Sequence, residues 1–383
     1  MKPALLITLE YPPQVGGIAV YLSKLVDHLP VGRVQVMAPA RKGTHDIDMG
    51  SSAPIYRRRL VWERFRPSWL PAWFWTGWLC RKEGNPSAIV VSHLLPMGEV
   101  AYWMKLVRRI PYVVIAHGMD AALALSSGRR KRRNAQRIMR AADLVVANSE
   151  FTARLTETFG VPKDKIVIIR PCPGFPLYKN VPGAQAEEVR QRYALDGRLT
   201  VVSVGRLVDR KGFDVCLKAL ASLKAQGTDL RYLVIGDGPA RKKLEGLAAE
   251  LGLSEAVVFA GAVPDDDLAA IYTASDIFVM TPKSAAADVE GFGIVYLEAG
   301  LFSKPVIGSK TGGVPEAVLH EKTGLLVEPD SVDQLAAAIK RLADDAGLRA
   351  SLGQAGRRRV LEEFNWQKQA AIFSAALEHI AKD

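Results

Sequence analysis

Short apolar runs rich in Val and Ile alternate with helical periodicity along the whole chain, and few folds accept that rhythm. Strand candidates fall at 4–10, 34–39, 88–93, 111–116, 143–148 and 165–170, then at 199–205, 230–236, 256–260, 276–280, 305–308 and 324–328. Helical patterns separate most of them. Residues 230–236 (LRYLVIG) are apolar at nearly every position, which suits a parallel strand covered by helices on both faces. Repeated strand–helix units predict doubly wound α/β lobes. The chain has 383 residues, more than the ~250–300 that one hydrophobic core supports, so two lobes are expected.

The join between them is visible as RPCPGFPLYKNVPG, residues 170–183. It holds Pro171, Pro173, Pro176 and Pro182 with Gly174 and Gly183. Prolines this dense exclude helix and central strand. The expected organisation is a lobe over 1–175, a second lobe over 176–364, and a terminal helix in 365–383 that packs back on the first lobe.

Charge divides unevenly across this join. Residues 1–180 hold 27 Lys and Arg against 12 Asp and Glu, whereas the remainder holds 24 against 28. A basic half suggests a polyanion as neighbour, and anionic lipid, nucleic acid and acidic substrate all fit. Cys80, Cys172 and Cys216 cannot build a disulfide framework and lack metal-ligand spacing, which points to a reducing compartment. No apolar run reaches the ~18–20 residues of a membrane-spanning helix. The apolar start at residues 4–7 is too short for a signal peptide and reads as a buried strand.

Several strand ends carry turns suited to anions, since ligands of open α/β sheets sit at the carboxyl ends of strands. Gly16-Gly17 opens a helix just after the first strand, and paired glycines let backbone N–H groups approach an anion there. A plain strand–helix turn explains the same residues. GlyGly is not GxGxxG, so a nicotinamide site gains no support. In VVSVGRLVDRKGFDV, Gly205 ends a strand, Arg206 follows, and Lys211-Gly212 precedes the next helix. Two cations so placed can grip a diphosphate, though a solvated basic turn has the same composition. In DVEGFGIVYLEAG, Glu290 lies before a helix beginning near Phe292-Gly293, and Glu298 lies inside it. The helix mouth offers unpaired N–H groups to phosphate, Glu298 could accept from both hydroxyls of a ribose, and Glu290 from a second sugar.

Asp265-Asp266-Asp267 has the look of a metal-binding triplet, but it follows Pro264 and opens a helical pattern. Acidic residues are favoured in a first helical turn by the dipole. His93 ends a strand and reads as structural.

These motifs stand in one order: Gly16-Gly17, His117-Gly118, Val204-Gly205-Arg206-Leu207 with Lys211-Gly212, Gly236-Asp237-Gly238, Glu290 and Glu298, Gly312-Gly313-Val314-Pro315-Glu316, and Thr323-Gly324-Leu325-Leu326-Val327. The ordered set resembles the retaining GT-B glycosyltransferases (family 4-like, group 1) that use nucleotide sugars. YPPQVGGIAVYL and DVEGFGIVYLEA look most like the bacterial phosphatidylinositol mannoside mannosyltransferases.

The resemblance implies two Rossmann-like lobes facing across a cleft and a hexosyltransferase needing neither a metal nor a cofactor beyond its donor. GDP-mannose is favoured over a UDP-sugar as that donor, and a lipid or glycan is the acceptor. Arg206 and Lys211 would bind the diphosphate, with Gly16 and Gly17 approaching from the other lobe and Gly205 lying beside them. Glu298 would hold the ribose and backbone near Val263 the base. The amides of Ile294 and Val295 would add phosphate contacts. Glu290 with backbone at Phe292 and Gly293 would hold the transferred sugar, and His117 would hydrogen-bond it. One departure is the interlobe run Pro171-Cys172-Pro173-Gly174-Phe175-Pro176, which lacks the aspartate usual in the family.

Residues 57–82 carry Trp62, Trp69, Trp73, Trp75 and Trp78 with Arg57, Arg58, Arg59, Arg64, Arg66, Arg81 and Lys82, and only Glu63 and no other acid. Tryptophan with cations is what a bilayer surface rewards. A basic run at 129–133 adds to it. A core beneath a loop and a solvated helix face are the plainer explanations. The expectation is an enzyme of the cytoplasm, peripheral on the inner face of the cell membrane. Nucleic-acid binding by the basic half is a distant alternative. No zinc-finger, RNP or helix-turn-helix signature supports it, so no nucleic-acid partner is expected.

Overall fold

The computed structural model describes the chain except residues 1, 15, 65, 175–180, 196, 285–288 and 382–383, and the side chains of 265 and 266. It divides into two compact units, Met1–Pro171 with Asn365–Asp383, and Cys172–Phe364. The boundary expected at 175/176 lies outside the described residues.

Among the described residues the first unit holds seven strands: β1 (Ala4–Ile7), β2 (Val34–Pro39), β3 (Ile55–Arg58), β4 (Ile89–Val91), β5 (Tyr112–Ala116), β6 (Leu144–Ala147) and β7 (Ile166–Ile168). Their order is β3-β2-β1-β4-β5-β6-β7. Every pairing is parallel, with Leu6 opposite Val36 on one side and Val90 on the other. The expected strands are present, shorter by a residue or more at most ends. Strand β3 has no counterpart in the sequence reading, because Arg57 and Arg58 mask its periodicity. It lies at the sheet edge, which tolerates charged side chains, and Arg57 there pairs with Asp48 at 2.6 Å.

The second unit holds β8 (Leu199–Val204), β9 (Leu230–Ile235), β10 (Val257–Gly261), β11 (Ile277–Val279), β12 (Val306–Ser309) and β13 (Gly324–Val327). Their order is β10-β9-β8-β11-β12-β13, again all parallel, with Val201 flanked by Tyr232 and Ile277. The central strands of each sheet are buried on both faces, as their unbroken Val, Ile and Leu runs require. Each unit has its own core, one around Ile7, Val91 and Val114, the other around Val201, Val234 and Ile307.

The terminal helix Trp366–Ile380 belongs to the first unit. Trp366 meets the Tyr21 ring edge-on at 5.7 Å, and Gln369 accepts from the Arg170 N–H at 2.8 Å. Arg33 donates to the Ser374 hydroxyl at 3.0 Å and pairs with Glu378.

In both sheets the strand order reverses once, between β1 and β4 and between β8 and β11. A crevice at the carboxyl ends of the strands opens at such a switch point, and ligands bind there.

Candidate functional site

In the second unit the turns after β8, β9, β11 and β12 interlock through glycines. Gly205 N–H donates to Ile235 O at 3.0 Å, and Leu207 N–H to Asp237 O at 3.0 Å. A Cβ on Gly236, whose φ is +124°, would stand 2.0 Å from Gly205 O, so only glycine lets the two turns touch. Arg206 projects from this contact, exposed, with no hydrogen bond or ion pair among the described residues.

The following turn, Asp209–Lys211, brings two cations to one carboxylate. Lys211 Nζ lies 2.5 Å and Arg210 Nη1 3.0 Å from Oε2 of Glu290. The Glu290 side chain is only 13% exposed. Burial pushes its pKa up, but Lys211 and then Arg210 outweigh burial and hold the carboxyl below the usual carboxylate range. The Glu290 backbone is seated as tightly: Gly313 N–H donates to Glu290 O at 2.9 Å, and a Cβ on Gly312 would come within 2.1 Å of the same oxygen. Gly312-Gly313 is thus a platform beneath Glu290.

The helix Ile294–Leu301 starts at Gly293, with φ +91° and no side-chain cap. Its opening amides, on the half-buried Ile294 and Val295, therefore face no capping side chain, which is what an anion site at a helix mouth requires. Phe292 is buried against Phe364, with ring centres 5.9 Å apart. Glu298, 9% exposed, accepts from the Tyr272 hydroxyl at 3.2 Å. Burial, and then Glu298, pushes the Tyr272 pKa up, so Tyr272 stays a donor. Val263 is half-buried in the turn after β10.

The structure thus unites Lys211 and Glu290 directly. It leaves Arg206 reaching outward from the neighbouring turn, and Glu298 one turn inside the helix. The sequence reading missed Arg210 as a partner of Glu290 and Tyr272 as a donor to Glu298. A basic turn gives no sign of which cation is bound, and a lone Tyr in a helix gives none at all. Asp265-Asp266-Asp267 does open a helix, Asp265–Ala274, and Asp267 pairs with Arg192 at 3.1 Å. The side chains of the other two lie outside the described residues.

In the first unit Gly16 precedes the helix Gly17–Asp27, and a Cβ on Gly17 would meet nothing within 4 Å. His117 follows β5, and Gly118 after it has φ +91°. Oδ1 of Asp120 fixes this turn, accepting from the His117 N–H at 3.1 Å and the Ala121 N–H at 2.9 Å. The His117 ring meets Tyr21 edge-on at 5.6 Å. Its Nε2 is buried without a hydrogen bond among the described residues. Burial, with the His93 ring second, brings its pKa down to about 3, so the imidazole is neutral at pH 7. His93 is fixed by Ser92 at 2.9 Å and lies 3.7 Å from Glu10.

Of the five tryptophans in 57–82, Trp69, Trp73 and Trp75 pack partly buried against the core, and only Trp78, at 37%, is exposed. Most of these rings are therefore half-buried against the core, because rings that large bury whatever area a nearby sheet offers. Phe74 at 60% is exposed beside Trp78. The helix Met97–Arg108 adds Trp103, Leu106 and Val107, none of which the sequence reading named.

Comparison with known proteins follows the same division. Glycosyltransferase Family 4 matches residues 15–172, and Glycosyl transferases group 1 matches residues 185–359. A GDP-mannose-dependent alpha-(1-6)-phosphatidylinositol monomannoside mannosyltransferase of Mycobacterium tuberculosis (strain H37Rv) is 33% identical over 379 residues, 97% of either chain. The protein of the same description from Mycolicibacterium smegmatis is 31% identical over 406 residues, again 97% of either chain. Among solved structures, Anabaena Alr3699/HepE in complex with UDP-glucose superposes with a TM-score of 0.83 at 22% identity, covering 98% of this chain and 99% of that one, a likeness of fold. Relatives this similar along nearly the whole length, with two parallel sheets of the Rossmann kind, make the chain a hexosyltransferase of the GT-B fold that belongs to the group 1 glycosyltransferases.

Proposed function

We propose that the chain transfers mannose from GDP-mannose, with retention, to a lipid-linked acceptor of the phosphatidylinositol mannoside class. The observation that carries this reading is the 33% identity over 97% of the chain to an enzyme described with that donor and acceptor. The cation–carboxylate cluster at the β8/β11 switch point supports it. Arg206 and Lys211 bind the donor diphosphate, and the Ile294 and Val295 amides add dipoles. Breaking the sugar–phosphate bond gathers charge on the diphosphate, and preorganised cations stabilise that charge. Glu290 accepts from hydroxyls of the sugar, Glu298 from the ribose, and backbone near Val263 meets the base. Neutral His117 offers the sugar a hydrogen bond. In a front-face displacement the departing phosphate takes the acceptor proton, so no second carboxylate of glycosidase spacing is needed.

Thermal shift tests the donor. A ligand at a hundredfold excess over its Kd stabilises by about 2.7 kcal/mol. For a unit of this size that raises Tm by roughly 5–10 °C. GDP is expected to give such a rise and UDP a much smaller one; the reverse order would overturn the GDP assignment. Radiolabelled GDP-mannose with lipid extracts then reads acceptor activity.

The acceptor's membrane also has a candidate docking face in the first unit. Phe74 and Trp78 on the helix Leu70–Glu83, and Trp103, Leu106 and Val107 on Met97–Arg108, are exposed among Arg81, Lys82, Arg108 and Arg109. Lys82 Nζ lies 5.2 Å from the Trp78 ring. Residues 129–133 are all exposed basic side chains opening the helix Arg129–Ala141. Cations near anionic lipid contribute about 1 kcal/mol each. Among the described residues no helix is long and apolar enough to cross a membrane, so contact from one side is the mode proposed. Flotation with phosphatidylserine-containing vesicles is expected to weaken with salt, and by at least about tenfold when residues 129–133 become Gln. Equal flotation with neutral vesicles would defeat the electrostatic part.

A further inference from the structure

Two cations share one oxygen of Glu290, and the proposed reaction asks one of them to serve elsewhere. Lys211 is the closer, at 2.5 Å, and Arg210 the second, at 3.0 Å. If Lys211 turns to the donor diphosphate, Glu290 loses its nearer counter-ion while its side chain stays almost wholly buried. A buried carboxylate stripped of its partners takes up a proton, and a protonated carboxyl accepts hydroxyl hydrogen bonds far less well.

We propose that Arg210 is a positioning residue that keeps Glu290 paired and in place while Lys211 shifts its charge to the donor diphosphate. This rests on the reading of Lys211 as a diphosphate ligand. The backbone is built for such a division of labour. Arg210 O accepts from the Lys283 N–H at 2.8 Å, which ties Arg210 to the same β11 loop that leads to Glu290. Next to it, Gly212 lies against Thr281 O, so the turn carrying both cations is held by that loop. Arg210 is therefore anchored by its backbone to the loop after β11, and its planar fork can keep a carboxylate from one fixed direction. Lys211 is a point charge on a flexible stem, the better group to move. The charged and titratable groups facing Glu290 are Arg210 and Lys211 from this turn and Tyr296 from the helix Ile294–Leu301. Lys283 is engaged with Asp214 at 2.7 Å and offers no replacement. No other cation is paired with Glu290 among the described residues.

The test is calorimetric titration of GDP into the full-length protein, in Tris and in Pipes at pH 7. The two buffers differ in ionisation enthalpy, so the difference in heat counts protons taken up with the nucleotide. The wild type is expected to bind GDP with no net proton uptake. Arg210→Gln should bind at least about tenfold more weakly and take up a substantial fraction of a proton, as Glu290 protonates when Lys211 leaves. Arg210→Lys should recover most of the zero-uptake behaviour, because it restores a cation there. Arg210→Gln with Glu290→Gln should show no uptake, because the titrating group is gone. A merely structural role for Arg210 would weaken binding without moving protons. Should Arg210→Gln be poorly soluble, Arg210→Met carries the same prediction. Unchanged affinity with zero uptake in the charge-removed variant overturns the proposal, and so does uptake that persists in the double variant. A wild type that binds no GDP overturns the diphosphate reading first, and this inference with it.

Discussion

Lys211→Ala is expected to lower kcat by about 10²–10³-fold with little change in fold, the range seen when one preorganised donor facing a developing anion is removed. Two effects combine. The departing diphosphate loses a cation when its charge is greatest, and Glu290 is left with Arg210 alone at 3.0 Å. Arg206→Ala should cost similar turnover with an even smaller change in stability. Arg206 is exposed and has no partner among the described residues to be orphaned. The two variants therefore separate the contributions: both slow the chemical step, and only Lys211→Ala disturbs the pairing of Glu290. Measuring kcat and KM for GDP-mannose, with thermal denaturation of each variant, makes the comparison. Near wild-type turnover in both would remove the diphosphate grip from the mechanism. Equal loss of turnover together with a collapse of Tm in Lys211→Ala would mean that the ion pair, not the chemistry, is what the lysine provides.

The two sheets were legible because a strand buried on both faces must be apolar at consecutive positions, and that composition survives projection onto one dimension. Strand β3 failed the same test: an edge strand tolerates Arg57 and Arg58, so nothing apolar marks it. The glycines were legible as turns but not in their purpose. Gly212, Gly236 and Gly312 were read only as members of the motif order, whereas each is where one strand-end loop presses on another's backbone. A contact between residues 212 and 281, or 312 and 290, is a matter of strand order, and order is not written in local periodicity. Lys211 and Glu290 were named separately, one for phosphate and one for sugar. Their union across 79 positions follows from β8 and β11 being neighbours. Arg210 was invisible for the same reason, since a basic turn in solvent has an identical sequence. The tryptophans of 57–82 divide: Trp69, Trp73 and Trp75 pack partly buried against the core while Trp78 is exposed, because a core beneath the helix competes for the same rings that a bilayer would reward.

Gly212→Ala is expected to destabilise the second unit by about 3–4 kcal/mol, among the larger effects of a single methyl group. Two costs add. The residue sits at φ +74°, a left-handed conformation that costs an L side chain about 1–2 kcal/mol. The new Cβ would stand 2.0 Å from Thr281 O and 2.9 Å from its carbonyl carbon, inside any tolerable contact with backbone. Thr281 cannot yield cheaply, because it is buried immediately beyond β11 and precedes the loop anchored by Ser309 on Pro282 O at 2.6 Å. Relief must come by parting the two loops, which would pull Arg210 and Lys211 away from Glu290. A drop in Tm of roughly 6–16 °C follows from about 2–4 °C per kcal/mol for a unit of this size. Gly227→Ala is the internal control. Gly227 has φ +81°, yet a Cβ there meets nothing within 4 Å, so only the conformational cost applies and Tm should fall by no more than about 2–8 °C. The pair also separates on ligand response: the Gly227 variant should keep its GDP-induced rise in Tm, and the Gly212 variant should lose most of it. Identical melting and identical GDP response in the two would show that the 212–281 contact neither supports the fold nor sets the distance between cations and carboxylate.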